Sequence, residues 1–203
     1  MTARRKYNSA QRRIDLADAA IELLGTQGSR GLTHPRLDTH AGVPAGTTSY
    51  YFRTRKSLLQ AVAARITELD LADLTMMDEL NDDHGVGYSG TLGLARLVML
   101  SGTAPYMTRT RARFELILHA HEDPDLNATM AAYGIRFYAL ARDAVSHWYG
   151  DPAPAPALIE ERAIMVLTFI SGVMTSFVNG YPVVVTAEQL NSQIRHILHN
   201  DVP

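Results

Sequence analysis

The sequence contains no cysteine, which excludes disulfides, zinc-thiolate sites and thiol catalysis and fits a reducing, cytoplasmic setting. No apolar run reaches the ~18 residues that a membrane-spanning helix needs, so no membrane partner is expected. The charged opening MTARRKYNSAQRR has no apolar stretch behind it of the signal-peptide kind. Alternation of the strand type is missing as well. PVVV at 182–185 is the one β-like run, and it is too short and isolated to found a sheet. There is no HExxH pattern, no recurring Glu-x-x-His pair, no glycine-rich phosphate loop and no nucleophile elbow. These absences point to an all-α chain with no expected catalytic residue, metal or cofactor.

What is present is unevenly distributed. Residues 1–65 hold 11 Lys+Arg against 4 Asp+Glu, whereas residues 66–203 hold 8 against 17. A basic first third on an acidic remainder suggests a polyanion-binding module joined to a domain of another kind. With 46% hydrophobic residues, the chain has ample material for a buried core.

Helical periodicity runs through most of the sequence. Ile14, Ala17, Ile21 and Leu24 form one stripe of a helix over 9–27, with Asn8 or Ser9 to cap its start and Gly28 to close it in a left-handed conformation. Thr33 is a natural N-cap with Pro35 tolerated in the first turn, and Leu37 and Ala41 share a face. After Gly42 and Val43, a second short helix is predicted from Pro44 to Tyr50. Two short helices joined by a tight glycine-containing turn make a helix-turn-helix, with the preceding helix as its third wall. A long helix is predicted over 55–79, carrying Leu58, Val62, Arg65, Leu69, Ala72 and Met76, and a loop over 81–90. Further helices are expected near 91–100, 104–121, 125–149, 158–179 and 187–199. GDPAPAPA at 150–157 forms a stiff joint. The count is about nine helices, divided into a helix-turn-helix domain at 1–54 and a larger helical domain at 55–203.

The stretch Ala41-Gly42-Val43, Pro44, Gly46-Thr47, Tyr50-Tyr51-Phe52, Arg55-Lys56 and Leu58-Leu59, preceded by Gly28 and Thr33, resembles the N-terminal domain of the tetracycline-repressor (TetR) family of transcriptional regulators. The likeness covers about a quarter of the chain. Thr48, Ser49 and Arg53 depart from the family's usual aliphatic, aromatic and proline. The resemblance implies a homodimeric repressor that binds a double-stranded DNA operator and leaves it when a small-molecule effector binds. Beside it, the residues allow a physical reading. Gly46 lets backbone approach a phosphate or base edge, and the hydroxyls and methyls of Thr47 and Thr48 suit base edges. Tyr50 and Tyr51 suit phosphates, Arg55 and Lys56 add electrostatic affinity, and Thr33 with its helix start could hold a phosphate. Pro44 contributes shape, Ala45 is too short to reach far, and Phe52 reads as core. Arg4, Arg5 and Lys6 form either a loose arm along the duplex or a solvated tail.

In the second domain the helix ALIEERAIMVLTFISGVMTSFVNG is apolar nearly all round, and the last helix is amphipathic. The resemblance implies that they pair with their mates in a four-helix bundle, through Ile164, Leu167, Ile170, Met174, Phe177, Leu190, Ile194 and Ile197. The alternative is burial of both within one chain. The resemblance also implies an effector pocket in the middle helices, where Tyr106, Met107, Arg111, Phe114, His119, Tyr133, Phe137 and Trp148 supply aromatic, thioether and scattered polar groups. Two rival readings stand beside this one. Glu115 and His119 share a helix face and could serve a metal-dependent enzyme. A protein-binding helical adaptor would leave the charge split and the hydroxyl-rich helix unexplained.

Overall fold

The computed structural model describes residues 2–84 and 90–199, without the side chains of 2–8, 75–84 and 133. Among the described residues there are nine helices and no strand. They are α1 Thr2–Gly31, α2 His34–His40, α3 Thr47–Tyr51, α4 Arg55–His84, α5 Gly90–Leu100, α6 Tyr106–Ala120, α7 Pro124–Tyr149, α8 Pro156–Val178 and α9 Ala187–His199. The chain forms two compact units, residues 1–71 with 108–131, and residues 72–107 with 132–203.

In the first unit α1, α2, α3 and the start of α4 close around Leu16, Leu24, Leu37, Phe52, Leu58, Val62 and Ile66, and α6 and the start of α7 add Leu116 and Leu126. One continuous core thus runs past residue 54, because the first turns of α4 bury the same apolar stripe as α1. Arg65, placed by periodicity in that stripe, instead forms a two-point ion pair with Asp18 at 2.7 and 3.1 Å and reaches Glu68 at 2.9 Å. The long arginine stem lies along the helix while its head reaches the rim.

Several boundaries differ from the sequence expectation. α1 takes in residues 4–6, expected as a loose arm or tail, and their side chains lie outside the described residues. Gly28 has φ 67° and ψ −176°, an extended glycine conformation rather than a left-handed helical one. The helical run resumes after this kink as far as Gly31. α4 continues through His84, so the expected loop begins later, and residues 85–89 lie outside the described residues.

In the second unit α5 packs on α9 and α9 on α8. Val98, Val145, Val166, Ile170, Phe177, Leu190, Ile194 and Leu198 are buried there. This corrects the expected dimer face. Ile170, Met174, Phe177, Leu190 and Ile194 are covered within the chain itself, because a helix apolar nearly all round spends one stripe on its own core. Leu167 and Ile197 are half-buried, and Ile164 is 56% exposed. The outward stripe of α8 consists of Ile164, Met165, Thr168, Ser171, Gly172 and Thr175.

Candidate nucleic-acid interface

A five-residue helix cannot hold itself together in water, since nucleation costs more than its one or two hydrogen bonds return. α3 must therefore be held from outside, and the structure shows how. α2 starts at Thr33, whose hydroxyl accepts from the Arg36 N–H at 3.4 Å, and ends in a Schellman turn. There the Gly42 N–H donates to Thr39 O at 3.2 Å and the Val43 N–H to Asp38 O at 3.0 Å. Val43 then packs on the core with Leu37. The chain re-enters helix at Gly46, the N-cap of α3, with φ 85° and ψ −4°. That left-handed conformation suits glycine and prevents the helix from starting at Pro44, the expected first residue. Pro44 and Ala45 lie in the exposed turn, and the Thr47 hydroxyl donates back to Pro44 O at 2.6 Å.

The front of α3 is fixed by Asp38, a residue that motif reading passed over. Its carboxylate accepts from the Gly46 N–H at 2.7 Å, the Thr48 N–H at 2.7 Å and the Thr48 hydroxyl at 2.6 Å. Asp38 is 4% and Thr48 0% exposed. Thr48, expected to touch bases, therefore does not reach the surface, because its hydroxyl is what satisfies the buried carboxylate. The Gly46 N–H is likewise committed inward. A Cβ at Gly46 would meet nothing within 4 Å, so its outer side is open for close approach.

Burial alone pushes the Asp38 carboxyl up, but the hydrogen bonds from Thr48 and Gly46 and the nearby His34 outweigh it, and the group settles below its ordinary value. A carboxylate depressed in the folded state stabilises the fold above its unfolded pKa of ~3.9, and that contribution fades as pH falls through the folded value. The gap in thermal midpoint between wild type and Asp38→Asn should accordingly be present near neutral pH and shrink toward pH ~3. A gap constant across that range would contradict the assignment.

The outer surface of the element comprises Pro44, Ala45, Ser49 and Tyr50, with Thr47 half-buried beside them. Tyr50 is 79% exposed and meets Tyr51 edge-on at 5.1 Å. Tyr51 is half-buried against the core, and its carbonyl accepts from Arg13 Nη1 at 2.7 Å. Phe52 is core, as read from sequence. Ser49 and Arg53, set aside as departures from a motif, are both exposed. Each directly follows a buried residue, Thr48 or Phe52, and no spacing in the sequence marks that order beforehand.

The two basic residues expected at phosphates are otherwise engaged. Arg55 donates through Nη2 to the Ser29 carbonyl and hydroxyl at 2.8 Å, and through Nη1 to Leu32 O, closing the segment after α1. Lys56 sits 3.0 Å from Asp123 and 3.1 Å from Asp125. Hydrogen bonds to Asp123 and then Asp125 hold its ammonium above the usual lysine value. The proposed metal pair is also accounted for. Glu115 accepts from the Ser29 N–H at 2.9 Å, and His119 Nε2 lies 2.6 Å from the Ser29 hydroxyl. Among the described residues no group of three His, Cys, Asp or Glu side chains could hold a metal.

The expected effector residues are spread over both units. Arg111 is exposed, Phe114 half-buried and His119 bound to Ser29 in the first. Tyr106, Met107, Phe137 and Trp148 are half-buried in the second, and the Tyr133 side chain lies outside the described residues. Trp148 turns toward α9, where the Arg195 guanidinium covers its face at 4.5 Å and His199 meets it edge-on at 4.9 Å. An open groove of about 710 Å3 beside α9 is lined by Phe169, Arg195, His196 and His199 among others. None of the expected effector residues lines it.

Residues 16–62 match the family described as bacterial regulatory proteins, tetR family. No protein of curated function matches the chain in sequence. Solved structures share the fold across nearly the whole chain. A transcriptional regulator from Rhodococcus sp. Rha1 has a TM-score of 0.66 at 18% identity, covering 94% of this chain and 99% of that one. A TetR-family member from Streptomyces coelicolor A3 has 0.64 at 22%, covering 92% and 97%. The multidrug binding protein EbrR complexed with ethidium has 0.64 at 23%, also covering 92% and 97%. Among the described residues no helix is long and apolar enough to cross a membrane.

Proposed function

We propose that this chain, whose residues 16–62 belong to the tetR family of bacterial regulatory proteins, is a homodimeric repressor that binds operator DNA through α3 and its flanking turn and leaves it when a small molecule binds. The observation that carries the reading is the construction of α3. A helix too short to stand alone is held at both ends from inside, and it presents Pro44, Ala45, Thr47, Ser49 and Tyr50 outward from a basic segment. So much internal bracing of so small an element makes sense for a surface that must keep its shape against a partner.

One five-residue helix reads few base pairs, and a two-fold dimer reading half-sites ~34 Å apart supplies the rest. The outward stripe of α8, with apolar Ile164 and Met165 followed by small Ser171 and Gly172, suits close packing against a second copy. EbrR, of like fold, is called a multidrug binding protein and was solved with ethidium. A small-molecule effector for this chain is proposed by that analogy and from its aromatic and methionine-bearing middle helices. α4 belongs by sequence to both units, so a ligand that favours one tilt of α4 would change the spacing of two α3 elements. The role is binding rather than catalysis.

The test is fluorescence-anisotropy titration of short duplexes at low salt. Wild type should bind duplexes of any sequence and lose affinity steeply as salt rises. Tyr50→Ala should weaken all of them alike, by about tenfold for a lost contact to charged phosphate. A wild-type protein that ignores every duplex at low ionic strength would end the proposal.

A further inference from the structure

Asp38 uses both of its acceptor groups at one junction. Its main-chain carbonyl takes the Val43 N–H and so closes α2. Its carboxylate takes the Gly46 and Thr48 N–H groups and so opens α3. The start of a helix leaves N–H groups without partners, and ordinarily a side chain at the N-cap satisfies one of them. Here the N-cap is Gly46, which has no side chain to offer. The missing cap is supplied from eight residues upstream, by a different helix.

We propose that Asp38 is a positioning residue for DNA recognition, fixing the rotation and pitch of α3 on α2 so that Thr47, Ser49 and Tyr50 meet the duplex in register. The proposal rests on the reading of α3 as the DNA-contacting element. A buried carboxylate and a buried threonine would each be costly alone, and an apolar pair could fill the same space. What the pair adds is direction. Three short hydrogen bonds converge on one carboxylate, and they constrain orientation in a way that apolar contact does not. With only five residues, α3 has no length of its own to resist tilting.

The charge of Asp38 separates this role from a merely electrostatic one. A carboxylate next to a DNA-binding surface repels phosphate, so removing it should tighten binding to every sequence. Positioning predicts a loss, confined to the preferred sequence. The experiment takes the duplex that wild type selects from a random pool and a scrambled duplex of equal length. It measures affinity of the wild type, Asp38→Asn and Thr48→Val for both, with circular dichroism to establish that each variant is folded at the assay temperature.

In Asp38→Asn the amide keeps the shape but turns a donor toward an N–H group. Affinity for the selected duplex should fall at least about tenfold while that for the scrambled duplex holds or rises. Thr48→Val removes one hydrogen bond and leaves two, and should lower the selected-to-scrambled ratio by about threefold, which keeps the test open if Asp38→Asn does not fold. A ratio unchanged in both variants, or an equal loss for both duplexes in a folded Asp38→Asn protein, overturns the positioning role while leaving DNA binding intact. A wild type that binds neither duplex overturns the DNA-binding reading itself, and the positioning role with it.

Discussion

Replacing Gly25 by alanine will destabilise the first unit by about 2 kcal/mol, although alanine is the better helix former. Gly25 is buried in α1, and a Cβ built there would stand 2.1 Å from the Thr108 carbonyl oxygen and 2.8 Å from its Cγ2. The obstacle is backbone, which cannot rotate aside as a side chain could. Helix propensity favours alanine by about 1 kcal/mol. Forcing a methyl into a closed contact costs about 3 kcal/mol when the neighbour is fixed. α6 is fixed, because Glu115 and His119 bind Ser29 at one point and Arg109 and Arg113 bind Asp70 at 3.2 and 2.6 Å at another. The clash therefore wins. At roughly 2–4 °C per kcal/mol for a chain of this size, the thermal midpoint should drop by about 4–8 °C, and Gly25→Val should fall further. Calorimetry of the two variants checks this. A Gly25→Ala midpoint equal to or above that of the wild type would mean that α1 and α6 do not approach so closely.

Chemically marked ends made the fold legible at some helices and misled at others. Thr33 with Pro35 and Gly42 with Val43 stand at or beside the observed ends of α2. The marks failed at α1, where neither Asn8 or Ser9 nor Gly28 stands at an observed end, and at α3, which starts at Thr47 and not at Pro44, while α4 runs on to His84. α3 shows the limit of periodicity. In five residues a 3.6-residue repeat has scarcely one turn to declare itself, so nothing in Thr47-Thr48-Ser49-Tyr50-Tyr51 says that Thr48 is the one fully buried. Arg55 and Lys56 read as phosphate contacts because their partners, neutral oxygens of Ser29 and Leu32 for the first and two carboxylates for the second, are remote in sequence. Asp123 and Asp125 are brought to Lys56 only by the packing of the α6–α7 turn. The apolar helix α8 hid its buried stripe for a different reason, since a helix with few polar residues carries only a weak moment to orient it. Asp38 did leave a trace. It is one of only 4 acidic residues among the first 65, placed in a helix otherwise bearing arginine and histidine, and such an exception is a reason to look for a buried partner.

The rear of α3 leads to the second large effect. Phe52→Ala should cost about 3–5 kcal/mol of stability, the range for emptying a fully buried aromatic site. Phe52 is 1% exposed and is the C-cap of α3, where its N–H donates to Thr48 O at 2.7 Å. Its carbonyl accepts from His34 Nε2 at 2.7 Å, and its ring carries the Arg13 guanidinium at 4.6 Å from the centroid. Alanine keeps both backbone bonds and loses the ring, so the variant measures what the side chain contributes. Two contributions compete, namely buried volume and the cation over the ring. An exposed cation–π contact is worth about 0.5–1 kcal/mol, whereas the burial is worth several times that. Phe52→Leu separates them, since leucine restores most of the volume and none of the π face. It should cost about 1 kcal/mol, within the range for a volume-conserving core change. Urea unfolding of the two variants supplies the comparison, with unchanged slopes showing that the same surface is exposed. If Phe52→Leu proved nearly as unstable as Phe52→Ala, the anchoring of α3 would lie with Arg13 rather than with burial of the ring. The Arg13 bond to the Tyr51 carbonyl would then become the contact that sets the rear of the element.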